Sequence, residues 1–251
     1  MQVNTDGLVI MEKAISDNDK LLTILTRKYG VIKAFARGVR NVKNKNFAAT
    51  QLFCYSDFAI YKGRNKYIIN EAALKKSFWG LRCDIEKLAL AQYFFELILS
   101  LVAAEEQHHS EEILRLVLNS LHCLAEKDMS QRLIKSVFEM RLLSMAGYMP
   151  DLIYCTECDK SEDERFYFAP FENGILCGEC AQDYPGEKFE LTSGLLYALR
   201  YTVYAQFNRM FAFSLSEESQ KILARVTESY LLRCLERRPR TLDFYRQLVL
   251  N

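Results

Sequence analysis

Val31-Ile32-Lys33-Ala34-Phe35-Ala36-Arg37, followed by Gly38-Val39-Arg40, alternates small apolar residues with large or charged ones at a period of two. That is the period of a β-strand, whose successive side chains point to opposite faces. Ile32, Ala34 and Ala36 fall on one face, and Lys33, Phe35 and Arg37 on the other. The first face suits a core. The second is cationic with an aromatic ring between the charges. Working outward, Gly7 to Met11, Leu21 to Thr26, Leu52 to Tyr61 and Tyr67 to Ala72 are further short apolar runs. Ser16-Asp17-Asn18-Asp19, Gly30 and the hairpin tip Lys62-Gly63-Arg64-Asn65-Lys66 separate them. Five short strands in residues 1–80 predict a small closed barrel of the OB type, whose outer face commonly binds oligonucleotides.

Charge placement agrees with that reading. The net charge of +1 divides into +8 over residues 1–80, −3 over 81–150 and −4 over 151–251. A basic block of domain size on an otherwise acidic chain is the footprint of a polyanion-binding module. Single-stranded nucleic acid is bound by cations that track phosphates and aromatic faces that stack on bases. The candidate contact residues are therefore Lys33, Phe35 and Arg37 on the strand, Arg40, Lys43 and Lys45 on the acid-free loop after it, and Lys62, Arg64 and Lys66 on the hairpin.

From about residue 82 the period changes to that of a helix. Ile85 to Val102, Ile113 to Leu124 and Ile134 to Met145 carry apolar residues three and four apart. Ser130 is the expected N-cap of the third helix, and Gly147 with Pro150 its stop. Residues 193–208 and 216–236 read as two more helices, with Ser214-Leu215-Ser216-Glu217 as a capping box and Pro239 as the closing signal. These stripes predict an α-helical bundle domain over 81–251. Arg233, Arg237, Arg238, Arg240 and Arg246 crowd the end of the chain. They suit the negative end of a helix better than a second phosphate site.

Inside the helical region, residues 150–186 break the pattern. Cys155, Cys158, Cys177 and Cys180 form C-x2-C-x18-C-x2-C, the spacing of a four-thiolate zinc site. Tyr167, Phe168, Phe171 and Ile175, with Asn173-Gly174 as a turn, suit a hairpin that returns the second pair to the first. Four thiolates leave a metal no open position, so the expected Zn2+ is structural. The other four cysteines are scattered singly through apolar runs, and no apolar leader follows Met1. That points to a reducing cytoplasmic compartment, where paired C-x2-C motifs are more often metal sites than disulfides. No stretch is long and apolar enough to span a bilayer.

Catalytic readings find little support. His109-Ser110-Glu111 with Cys177-Gly178-Glu179-Cys180 echoes the zinc nucleobase deaminases, but Leu176 stands where they have proline, and the other cysteine pair would be left without a role. There is no phosphate loop, no dinucleotide fingerprint and no H-E-x-x-H. All three histidines lie between residues 108 and 122, away from any nucleophile signature.

The order of these parts resembles the RecO family of bacterial recombination mediators. The resemblance is carried by Gly7-Leu8-Val9-Ile10, by the run Asp19 to Gly30, and by Ala36-Arg37-Gly38-Val39-Arg40. It continues in Ala146-Gly147-Tyr148-Met149-Pro150-Asp151-Leu152, the two cysteine pairs, Tyr230-Leu231-Leu232-Arg233 and Phe244-Tyr245-Arg246-Gln247-Leu248. It implies a non-enzymatic protein that binds single- and double-stranded DNA, anneals complementary strands and joins RecR. It also implies contact with the acidic C-terminal tail of the single-stranded-DNA-binding protein, SSB, so that RecA can load, and a cytoplasmic, nucleoid-associated location during repair. The family's DNA face falls here on Lys33, Arg37, Arg40 and Lys43. The loop Asn41 to Phe47 departs from many relatives in lacking a proline and a second arginine, and zinc cysteines are not universal in the family. A zinc-containing RNA-binding or scaffolding adaptor using the same basic face is the alternative.

Overall fold

Strands β1 (Gln2–Ala14), β2 (Lys20–Thr26), β3 (Gly30–Ala36), β4 (Cys54–Lys62) and β5 (Tyr67–Ser77) close into a barrel in the order β1-β2-β3-β5-β4. This is a computed structural model describing residues 1–64, 66–105 and 107–249; Asn65 of the expected hairpin tip and Glu106 lie outside the described residues. Every neighbouring pair of strands is antiparallel except β3 and β5, which run parallel over three residues. The alternation expected in β3 holds, with Ile32, Ala34 and Ala36 buried and Lys33, Phe35 and Arg37 exposed. Val9, Leu22, Ile24, Ile32, Phe58 and Ile60 fill the interior, each nearly or wholly out of solvent. Burial of a side chain of this size contributes roughly 1.5–3 kcal/mol, so the barrel has a core of its own. β1 and β5 are longer than their apolar runs, because polar residues on an exposed face are still paired in the ladder.

The chain divides into two compact units, one of residues 1–127 with the segment from 241 onward, the other of residues 128–240. In the first unit the barrel carries α1 (Ile85–Leu101) and α2 (Ser110–Glu126). Asp84 caps α1 by accepting from the Glu86 and Lys87 amides. The Phe53 and Phe95 rings meet at 5.2 Å between centroids. The Ser110 hydroxyl donates to the Arg27 carbonyl at 2.8 Å, and Arg27 Nη1 donates to Glu111 at 2.7 Å. The last helix in the chain, α7 (Arg240–Val249), has its first turn held by the Thr241 amide donating to Glu96 of α1 at 2.9 Å.

The second unit is built on α3 (Gln131–Met145), in which every residue from Leu133 to Leu143 is buried. A helix apolar only in part but buried all round must satisfy its charges internally. Lys135 does so with Glu139 and Glu228, each at 2.7 Å, and the Thr227 hydroxyl donates to Glu139. The Arg141 guanidinium donates to the Thr202 and Ala205 carbonyls, closing the end of α5 (Ser193–Tyr204). Strands β6 (Asp151–Cys155), β7 (Phe166–Ala169), β8 (Gly174–Cys177) and β9 (Phe189–Leu191) form a sheet in the order β6-β8-β7-β9, with α4 (Gly178–Asp183) between the last two in sequence. The fold class is thus α+β, a five-stranded barrel followed by helices, with the four cysteines grouped inside the helical region.

Three local readings are corrected. The helix expected over 193–208 stops at Tyr204, where Ala205 is extended. The capping residue of α6 (Glu217–Leu235) is Ser216, which accepts from the Ser219 amide at 3.2 Å, and not Ser214. Pro239 does not border α6, which ends four residues earlier; it immediately precedes α7, as suits a residue whose fixed φ favours a helix start.

Candidate nucleic-acid interface and metal centre

The outer face of β3 is made by strand register. Phe35 pairs with Leu21 of β2 and with Ile68 of β5, so the three side chains form an apolar row across three strands. Phe35 is 37% exposed, a large value for an aromatic ring in a barrel, while Leu21 and Ile68 are half-buried. Lys33 lies two residues to one side of the row on β3, and Arg37 two residues to the other.

Three concavities run along this face and share walls. The largest, about 700 Å³, is lined by Lys33, Phe35, Lys62, Arg64 and Lys66. Phe35 and Lys66 also line the next, about 200 Å³, where Ile15 and Arg37 complete the wall. Arg37 and Ile68 then continue into a third of about 390 Å³ that reaches Lys45. Six of the eight cations singled out in the sequence therefore lie along one track. The Lys62 ammonium stands 5.4 Å from the centre of the Tyr67 ring and 5.9 Å from that of Tyr29. Contact with the Tyr67 phenol raises the Lys62 pKa above its ordinary value.

Two other cations have different tasks. Arg40 donates from Nη1 to the Ser16 carbonyl at 2.7 Å and from its amide to Asn18 at 3.1 Å, pinning the β1–β2 turn. Lys43 is exposed but lines none of the three concavities. Lys45, though on the track, forms an ion pair with Glu71 at 2.5 Å, and both side chains are exposed. The loop that carries them is a succession of turns, Asn41 to Gly38, Asn44 to Asn41 and Phe47 to Asn44. It begins at Gly38, whose φ of +67° only glycine adopts freely and whose amide donates to Asp19 at 2.8 Å. The sequence reading missed Ile15, Leu21, Ile68 and Tyr67. Only the pairing register brings Leu21 and Ile68 beside Phe35, and only the folded surface brings Tyr67 and Ile15 into the concavities that Phe35 lines.

Elsewhere on the barrel, Asp6 accepts from Arg27 Nε and Nη2 and from the Tyr55 hydroxyl. Burial opposes ionisation of Asp6, yet these donors win and hold its pKa down at about 2. This cluster ties β1 and β4 to the residue that directly follows β2.

The four cysteine sulfurs lie within 4.8 Å of one another. The first pair is shaped by a tight turn, with the Asp159 amide donating to the Cys155 carbonyl and the Cys155 amide to the Lys160 carbonyl, both at 2.9 Å. The second pair sits where β8 runs into α4, and the Cys177 amide donates to the Cys155 sulfur at 3.3 Å. Asp163 links the two pairs, accepting from the Gly178 amide at 3.1 Å and pairing with Lys160 at 3.4 Å. The Cys158 and Cys177 sulfurs are 3.7 Å apart. A tetrahedron with metal–sulfur bonds of ~2.3 Å has edges of about 3.8 Å, so the donor set fits a tetrahedral thiolate-binding cation. Burial pushes the Cys155 thiol up, but amides of Cys177, Glu157 and Cys158 outweigh it and bring the pKa to about 7. Cys180 is pushed well above the ordinary thiol range by the neighbouring Cys177 and Cys158 sulfurs. Proton sharing of this kind is what a divalent cation relieves.

The hairpin behind the cysteines is tightly built. A Cβ on Gly174 would come within 2.6 Å of the Asp151 carbonyl and the Thr156 methyl, so only glycine lets β8 pass β6 here. From α6, the Tyr230 ring meets Phe168 edge-on at 5.4 Å, and Arg233 donates to Asn173 and to the Phe171 carbonyl. Arg233 therefore supports the hairpin in addition to occupying the last turn of α6.

The model of the family described as recombination protein O, N terminal, matches residues 1–78, and that described as recombination protein O, C terminal, matches residues 82–243. Similar curated proteins include the DNA repair protein RecO of Acetivibrio thermocellus, 33% identical over 98% of this chain and 97% of the relative. That of Symbiobacterium thermophilum is 32% identical over 96% of this chain and 95% of the relative. That of Clostridium novyi is 26% identical over 97% and 93%.

Proposed function

Since this chain belongs to the RecO family of DNA repair proteins, we propose that it acts by binding DNA on the outer face of β3 and works as a recombination mediator without catalytic chemistry of its own. It binds single- and double-stranded DNA, anneals complementary strands and, with RecR, helps RecA load on DNA coated by SSB. The observation that carries the reading is the track of cations around the Leu21-Phe35-Ile68 row. Lys33, Arg37, Lys62, Arg64 and Lys66 would follow phosphates, while Phe35 offers a base a flat apolar partner. Arg40 and Lys43 add positive charge at the edge of the track, and Lys45 does so when a phosphate displaces Glu71. Annealing follows physically, because a cationic surface that replaces condensed counterions lowers the repulsion between two approaching strands. Phosphate contacts and stacking carry little base information, so sequence preference is small.

The four cysteines would hold Zn2+ as a structural ion. All four protein donors are thiolates, which leaves no position for a substrate or water. The contacts to RecR and to the acidic SSB tail, and a cytoplasmic, nucleoid-associated location, rest on family membership. Among the described residues no helix is long and apolar enough to cross a membrane.

The test is an annealing assay with complementary oligonucleotides, with and without SSB, beside titrations of matched single-stranded DNA and RNA. The proposal expects annealing that weakens steeply with salt, and its loss in Lys33→Glu/Arg37→Glu. Preference for RNA with no annealing would transfer the same face to an RNA-binding adaptor.

A further inference from the structure

Among the described residues, the groove formed by Lys33, Lys62, Arg64 and Lys66 has a single acidic lining residue, Glu105. It stands on the wall contributed by the end of α1, beside Leu99 and Val102. Its position is fixed at both ends. The Glu105 amide donates to the Val31 carbonyl at 3.0 Å, next to a parallel bridge between Val31 and Ala104. The carboxylate accepts from the hydroxyl of the buried Tyr67 at 3.2 Å. The backbone takes φ of +60° to achieve this, a left-handed conformation unfavourable for a residue with a side chain. Local strain held by anchors on two strands marks a side chain whose placement matters.

A carboxylate here cannot contact a phosphate favourably, and ionised it only accepts hydrogen bonds. The bases differ in what they can give it. Guanine, adenine and cytosine each carry an exocyclic amino group, whereas thymine offers one N–H flanked by two carbonyl oxygens that a carboxylate repels. We infer that Glu105 is a base-reading residue that orients a bound strand with its phosphates along Lys62, Arg64 and Lys66, and favours an amino-bearing base over thymine at this position. The inference rests on the single-stranded DNA binding proposed above and adds to it a modest base bias.

Fluorescence anisotropy on the full chain tests it. The probes are a thymine-only strand of about fifteen nucleotides, near the upper site size of one such barrel, and the same strand with its central thymines replaced by cytosine. The wild type should bind the cytosine-containing strand about threefold to tenfold more tightly, the range that one net hydrogen bond supplies. E105Q should remove most of that preference and bind the thymine strand more tightly than the wild type does, since an amide can pair with thymine and no longer repels phosphate. Equal wild-type affinities for the two strands, or a preference unchanged in E105Q, would overturn the inference while leaving the DNA-binding proposal standing. Absence of binding to either strand would instead strike at that proposal, and the inference with it.

Discussion

The barrel and the cysteine-bearing sheet are both small β-structures, but they are held by different means. The barrel closes five strands of seven to thirteen residues on an interior of Val, Leu, Ile and Phe side chains. Its outer face is thereby released from structural duty and can expose Phe35 among cations. The sheet has four strands of three to five residues, whose buried Phe168 packs on Tyr230 of α6, and its most reactive side chains converge on one point. In one region stability is internal and the outer face is free; in the other the four thiols would themselves be the fastening when a metal joins them. A small β-element without a sizeable core needs a staple, and metal binding to it is folding free energy.

That contrast is open to attack at several points, beginning with the largest effect. Chelation of the metal, or Cys177→Ser, should disorder residues 151–191 at a cost on the order of several kcal/mol, read as new amide exchange confined to the sheet. DNA affinity measured in parallel should hardly change, and its loss in a chain whose barrel stays folded would erase the distinction. Arg37→Glu/Lys66→Glu should reverse the pattern, leaving the melting temperature nearly unchanged while single-stranded DNA binding collapses. Because each lost phosphate contact flattens the logarithmic salt dependence by ~0.7, the residual slope reports whether those two cations bind. Arg40→Glu, which also disturbs the Ser16 contact, should cost affinity less than that pair. Phe35→Ala should weaken single-stranded binding by roughly 1–3 kcal/mol with little effect on folding, because a ring this exposed contributes little to the core.

The smallest effect concerns acid. The Asp6 pKa is depressed to about 2 in the folded chain, so its ion pair stabilises the barrel fully above the ordinary aspartate value near ~3.9 and is lost as pH falls toward about 2. Asp6→Asn should therefore lower the denaturant midpoint at neutral pH and flatten its fall between about pH 4 and pH 2. An unaltered acid profile would mean that Arg27 and Tyr55 do not hold this carboxylate in solution.

Much of this was legible in the sequence because it depends on local periods and spacings. The two-residue period of Ile32 to Arg37 needs only backbone geometry, and the cysteine spacing needs only the length of a tight turn. The helices α1, α2 and α3 were visible as apolar stripes for the same reason. What escaped depends on partners distant in sequence. Leu21 and Ile68 join Phe35 only once β2, β3 and β5 are in register. β6 and β9 are short strands whose hydrogen bonds come from the hairpin between them, so nothing in their own residues announces them. α7 was hidden by Pro239 and by its charge, since a proline after a long helix reads as an ending unless the following residues have somewhere to pack. Glu105 owes its place in the groove to Val31 and Tyr67, both far from it in sequence, so nothing in its own neighbourhood marks it.

The position of α7 has a consequence for biosynthesis. From Thr241 onward its residues belong with the barrel unit, yet the 113 residues of the other unit precede them in the chain. A ribosome must therefore finish the whole of residues 128–240 before Thr241 can reach Glu96. The barrel can close early, as soon as β5 has emerged, but its unit stays incomplete until the intervening segment has been made. Truncation from the C-terminal side would remove part of the first unit before touching the second, whereas excising residues 128–240 and joining the flanks would keep every segment of the first unit in a single chain.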